Sequence, residues 1–452
     1  MLTSSIIEFL SIAFRYFFVF YIIYFLWQGI TYIRIERGYL NKNLRVPIFK
    51  QKIIIIFMHI KAFFVLSSGT NVRVITYGLT FLCIFLLQGF IAKKIYKNSC
   101  PLIWNGFFFL TSIGSIMLTR LNFTLANRQL LWLFVSLCVV SIMPFVIKIF
   151  RKLERLEYVY LILGLGLLLS TFIFGTEEFG SLRFIEIGDF GFSPAEAVSF
   201  TYILYIATAF RKKREFYRII FPSLMAVVHV IMLVLQRNLG GALIFFFSYM
   251  IIMYISTGRK LLFAVGIGFF AVGSVLSYHL FGHVQVRVAV WQNPWNDVHG
   301  FGFQTIQSLF AMGTWGAFGS GLGLGIPGTV PVVARDLTFA AVGEEMGWIF
   351  ALGMIGVYLM IFYRGMHVAL RCNRRYYSLL AVGFTFVLAF QTFLIIGGTI
   401  NFIPLTGITM PFVSYGGSSL LISTLKIGML QWISSYYATK KSKNIKYKLE
   451  EE

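Results

Sequence analysis

The chain has 452 residues, 58% of them hydrophobic and only 12% charged, with a formal net charge of +22. Soluble domains carry about 25% charged residues, so a soluble globular protein is excluded and a chain threaded repeatedly through a membrane is expected. The positive charge reads as membrane topology, and no nucleic-acid partner is expected.

The first apolar span, near residues 5–33, contains Glu8 and Arg15, which share one helical face. A charge within a membrane costs about 2.5–3.5 kcal/mol, so the two are expected to pair or to face a neighbour. No basic segment precedes this span and no small-residue cleavage site follows it, so it reads as a retained helix. Further spans are expected near 53–68, 74–92, 102–119, 130–149, 157–174, 195–210, 219–236, 240–257, 261–281, 341–363, 377–400 and 416–437, thirteen in all. Alternate connections are basic, from Arg34, Arg37 and Lys42 in the first to Lys440, Lys441 and Lys443 in the tail. Basic loops stay inside, so the amino terminus is expected outside and the carboxyl terminus in the cytoplasm. Omitting the 53–68 span would place the most basic loop on the wrong side. The opposite face carries Arg73, Arg120, Arg128, Arg183, Arg237, Arg287 and Arg335 and no lysine. Such arginines either bind phosphate in bidentate fashion or snorkel at the membrane edge. The four cysteines and six histidines show no disulfide or metal-ligand spacing.

Three outer loops stand out: an acidic one at 175–196, a long one at 282–340 and the segment 401–419. The long loop contains a short helical run through Ser308 and Met312, then Gly316, Gly319, Gly321, Gly323 and Gly325. That glycine run lacks the Lys-Ser/Thr of a phosphate-binding loop and reads as a flexible or tightly turned connection. Asp336 follows Arg335 just ahead of a helix, where an aspartate serves either as a helix cap or as a base. Segment 401–419 has two prolines, three glycines and small hydroxyl residues, which cannot continue a helix. Lipid tolerates irregular backbone only where protein buries it or water lines it, so this segment is expected to wall a cavity.

The segment Pro404 to Gly407 followed by Pro411-Phe412-Val413-Ser414-Tyr415-Gly416-Gly417-Ser418-Ser419 resembles the SEDS family (shape, elongation, division, sporulation; FtsW/RodA/SpoVE-type). The resemblance extends over about residues 101–437. It includes Arg183-Phe184-Ile185, Ser193-Pro194-Ala195-Glu196, Gln236 to Gly240, Asn293-Pro294 with Gly302-Phe303-Gln304, Arg335 to Phe339 and Glu344 to Gly347. Phe184, Ser193, Ser199 and Asn238 stand where the family has tryptophan, glutamine, lysine and aspartate, which marks a divergent branch.

The resemblance implies an all-α polytopic membrane protein, a ten-helix SEDS-like bundle preceded by about three extra helices. The domains would be 1–100, an added membrane module; 101–437, the catalytic bundle; and 438–452, a charged cytoplasmic tail. It further implies a glycosyltransferase that polymerises lipid II into glycan strands, beside a class B penicillin-binding transpeptidase. Asp336 would be the base. Arg183, Glu196, Arg237, Gln304, Arg335, Thr406, Ser414, Tyr415, Gly416, Gly417 and Ser418 would bind substrate, with Glu344, Glu345 and Pro411 in support. A divalent cation, Mg or Mn, is a candidate companion of the phosphates. Buried ion pairing is an equal alternative for Glu196, Glu344 and Glu345. A precursor flippase or a non-catalytic division scaffold are the rival readings.

Overall fold

The computed structural model describes residues 2–67, 71–149, 153–178, 181–188, 190–212 and 216–450. Three helices come first: α1 (Leu2–Glu36), α2 (Arg45–Leu66) and α3 (Val72–Ile95). The bundle continues with α4 (Pro101–Leu121), α5 (Phe123–Ile149), α6 (Glu157–Phe174), α7 (Pro194–Ala209), α8 (Phe216–Leu235), α9 (Leu239–Thr257) and α10 (Lys260–Leu280). It is completed by α11 (Gly282–Gln292), α12 (Phe303–Thr314), α13 (Thr338–Leu370), α14 (Arg375–Thr399) and α15 (Gly417–Glu450). Each of the thirteen expected spans falls on one of α1–α10 and α13–α15. Among the described residues, nine helices are long and apolar enough to cross a membrane, and the chain is a multi-pass membrane protein.

Three features differ from the sequence expectation. The acidic outer loop is a small antiparallel sheet of β1 (Thr176–Glu178), β2 (Ser181–Ile187) and β3 (Phe190–Phe192), in the order β1-β2-β3. β1 and β3, three residues each, are too short for hydropathy to signal them, and the seven-residue β2 breaks strict alternation at Phe184-Ile185. The long loop opens with a helix, α11, that the sequence did not signal, while α12 falls on the expected helical run through Ser308 and Met312. Finally, α15 continues through Glu450 rather than releasing a separate tail.

Packing explains how apolar sequences separate into core and lipid-facing helices. α4 is buried all round and forms the centre, whereas α10 has no buried residue in its apolar window. Both are uniformly apolar, so composition alone does not distinguish them. α1 packs on α2 and α13, α2 on α4, and α3 on α5, so the first three helices wrap one side of the bundle. Glu36 at the end of α1 accepts from Arg364 in α13 at 2.5 and 3.3 Å and from Arg371 at 3.2 Å. Arg364 is buried, and losing one partner of such a pair strands a charge at a cost of about 3–5 kcal/mol. The Glu8 side chain, and with it the expected pairing to Arg15, lies outside the described side chains. Arg15 reaches the carbonyl of Gly319 at 3.4 Å, and Ser11 donates to the Leu322 carbonyl. The glycine run is therefore tightly turned and gripped by α1.

Candidate active site

At one end of the bundle a cavity of about 870 Å³ opens between α5, the β2 strand, α7, α9, α11 and segment 401–419. α7, α9 and α15 all begin at its wall: Ala195 and Glu196, Asn238 and Gly241, and Gly417 to Ser419 are lining residues. The first turn of a helix leaves amides without intrahelical acceptors and carries a partial positive charge. Three such ends converging on one space favour an anion. Arg128, Arg237, Arg287 and Arg335 add four guanidinium groups, set against the carboxylates of Glu186, Glu196 and Asp336.

Asp336 lies on a tight turn whose geometry is unusual. Val332 has φ +54, a left-handed conformation that a β-branched residue rarely adopts. Its carbonyl accepts from the amides of Arg335 at 3.0 Å and Asp336 at 3.1 Å. Strain of this kind costs of order 1–3 kcal/mol and persists where surrounding structure enforces it. Here the enforcement comes from segment 401–419. The Tyr415 amide donates to the Ala334 carbonyl at 2.8 Å, and the Arg335 guanidinium lies over the Tyr415 ring at 5.9 Å. The cap alternative for Asp336 is not realised, because the N-cap of α13 is Leu337, without a side-chain bond.

Segment 401–419 is held from several sides. Gln129 in α5 donates to the Ser414 carbonyl at 3.1 Å and accepts from the Gly416 amide at 3.2 Å. Gln391 in α14 donates to the Thr409 carbonyl at 3.0 Å, and Arg287 to the Leu405 carbonyl at 2.8 Å. Ser414 donates to Thr338 Oγ1 at 3.1 Å, and Tyr358 donates to the Pro411 carbonyl. Backbone groups that would be costly to bury unpaired are thereby satisfied.

Of the expected site residues, Asp336, Glu196, Arg237, Gln304 and Arg335 line the cavity, as do Tyr415, Gly416, Gly417 and Ser418. Thr406, Pro411 and Ser414 do not; they are internal to the wall. Arg183 belongs to β2, and its side chain lies outside the described residues. Glu344 and Glu345, expected in support of the site or as buried ion-pairing groups, bind the glycine run and do not line the cavity. Glu345 pairs with Arg120 at 3.0 Å and accepts from the Gly323 amide at 3.2 Å, while Glu344 accepts from the Ile326 amide at 2.6 Å. α13 breaks at Gly347, φ +84, where an added Cβ would lie 2.3 Å from the Ala317 carbonyl. The Glu-Glu-x-Gly motif is a bracket for that loop, the ion-pairing alternative.

Residues that the sequence did not single out also line the cavity. Trp132 is one and His283 another. Burial, then the nearby Arg287 and Arg237, hold the His283 pKa below the usual histidine range, so the ring is neutral at pH 7. Gln129 and Gln391 carried a usable signal, being isolated amides within apolar spans. Phe184, Ser193, Ser199 and Asn238, the four departures from the family pattern, all line the cavity. Among the described residues, no group of three or more His, Cys, Asp or Glu is placed to hold a metal ion.

The family described as cell cycle proteins, FtsW/RodA/SpoVE, matches residues 99–439. The peptidoglycan glycosyltransferase RodA of Mycobacterium tuberculosis (strain H37Rv) is 31% identical over 397 residues, covering 81% of this chain and 85% of that protein. Stage V sporulation protein E of Bacillus subtilis is 31% identical over 327 residues, covering 70% and 88%. Among solved structures, a chain of a peptidoglycan synthase complex superposes with TM-score 0.67 at 24% identity, over 75% of this chain and 99% of that one. The crystal structure of Thermus thermophilus RodA does so with TM-score 0.56 at 24% identity, over 75% and 97%. With its family match running from the start of α4 into α15, the chain belongs to the FtsW/RodA/SpoVE family.

Proposed function

We propose that this protein is a peptidoglycan glycosyltransferase that polymerises lipid II into glycan strands. The observation that carries the reading is the strained turn bearing Asp336, locked to segment 401–419 and facing a cavity rich in arginines and helix amino termini. The name of the mycobacterial relative supports a peptidoglycan glycosyltransferase activity.

The chemistry follows from the lining. The Asp336 carboxylate takes the proton of the acceptor 4-hydroxyl. That oxygen attacks the donor anomeric carbon from the face opposite the leaving group, forming the glycosidic bond with inversion. The bond from the anomeric carbon to the pyrophosphate oxygen breaks, and undecaprenyl pyrophosphate departs with the electron pair. Arg237, Arg287 and Arg335 and the three helix ends stabilise the charge that develops there, in a preorganised site. One carboxylate suffices because the leaving group needs no proton. A divalent cation, Mg or Mn, would serve in this reading only to screen the charge of the pyrophosphate, and no step is assigned to it. The same reading places a class B penicillin-binding transpeptidase beside the bundle.

Purified protein incubated with lipid II in detergent micelles is expected to yield glycan polymer. Lipid II left monomeric, with translocation across liposomes instead, would overturn the proposal in favour of a flippase. Topology is a second check. The odd number of spans and the basic loops place the amino terminus and the cavity outside and the carboxyl terminus inside. Reporter fusions at Leu2 and Glu452 should report opposite compartments, and a shared compartment would reject the arrangement.

A further inference from the structure

Lys426 is fully buried in α15, and its ammonium has no hydrogen-bond partner among the described residues. A lone buried ammonium is expensive, and nothing in the mechanism above uses it. Its place in the fold does. α7 and α15 both begin at the cavity wall and pack against each other, joined at their starts by the Ser193 amide donating to Ser418 Oγ at 3.3 Å. From that joint, Glu196 lies three residues into α7, about 4.5 Å deeper at 1.5 Å per residue, and Lys426 eight residues into α15, about 12 Å deeper. Lysine stems on a helix lean toward its amino terminus, which carries the ammonium back up toward Glu196. Glu196 is also the acid whose charge acts on Lys426. Ser199, one turn below Glu196, turns its hydroxyl to the Glu196 carbonyl at 2.6 Å. One turn nearer the cavity than Lys426 on α15, Ser423 ends in another buried hydroxyl without a partner among the described residues.

We infer that Lys426 is a positioning residue, a buried cation behind the cavity wall whose charge, acting across the α7–α15 packing without a direct hydrogen bond, orients the Glu196 carboxylate and so orders the phosphate-binding side of the site. A packing lysine would gain from becoming apolar, because replacing a buried charge by a well-fitting hydrophobe is often neutral or stabilising. A positioning lysine would lose function by the same change. The inference rests on the polymerase reading, and the test separates the two.

Lys426→Met, Lys426→Arg, Glu196→Gln and the double variant Glu196→Gln/Lys426→Met would be purified and assayed with lipid II, and their melting temperatures recorded. Lys426→Met is expected to slow polymerisation by about 10-fold or more with an unchanged or raised melting temperature. Lys426→Arg should recover part of the rate. In the Glu196→Gln background the Met substitution should cost little further, the non-additivity of coupled neighbours. Wild-type rate in Lys426→Met would overturn the inference and leave the polymerase reading standing. So would a rate loss that follows a fall in melting temperature and recurs in full on the Glu196→Gln background. A wild-type protein inactive on lipid II would overturn both.

Discussion

Asp336→Asn should reduce lipid II polymerisation by about 10²–10⁴-fold, the usual cost of losing a general base. The substitution preserves side-chain size and the backbone of the Val332 turn, and removes the negative charge together with the capacity to take a proton. The cap of α13 is not at stake, because Leu337 occupies that position. Melting temperature and membrane insertion should therefore remain near wild type, and lipid II binding should change far less than turnover. A near-normal polymer yield from the variant would reject Asp336 as the base.

The second large effect is expected at Gly417. A Cβ built there would lie 2.2 Å from Trp132 Nε1 and 2.4 Å from Cδ1 and Cε2 of the same ring. Gly417→Val must therefore displace the indole that forms part of the cavity wall, and overpacking of this kind costs about 1–3 kcal/mol. Polymerisation should fall together with the melting temperature. Gly416 differs. Its added Cβ would meet only Thr409 Cγ2 at 3.3 Å and Ser419 Cβ at 3.4 Å, so Gly416→Ala should be much milder. Glycines at these positions permit either positive φ or a close approach of neighbouring groups. Neither is among the positive-φ residues, and the Gly416 amide is engaged by Gln129. Close approach is the physical reason for Gly417. A Gly417→Val protein with wild-type stability and activity would reject it.

Local sequence carried much of the site. Asp336, Arg335 and segment 401–419 stand out because an acid beside an arginine, or two prolines among glycines, breaks an otherwise apolar pattern. The same logic left Glu344 and Glu345 open between support of the site and buried ion pairing. A buried carboxylate looks alike in sequence whether it faces a substrate or a loop amide 18 or 22 residues away. Only the fold shows that the Glu345 partner is Arg120, contributed by α4. Val332 carried no warning at all, since nothing local requires a valine to take the left-handed conformation; it is imposed where α13 and segment 401–419 meet.

By itself the sequence determined the number and order of the apolar spans and the breaks between them, and it singled out Asp336 as the acid proposed for chemistry. These depend on span length, helix-breaking residues and charge, which are properties of a short stretch of chain. Which charges meet was decided only by tertiary structure. The cavity draws Arg128 from α5, Glu196 from α7, Arg237 from the turn before α9 and Arg287 from α11. Those residues are tens to hundreds of positions from Asp336. Their convergence follows from how uniformly apolar helices pack around α4, and hydropathy does not encode which apolar face meets which.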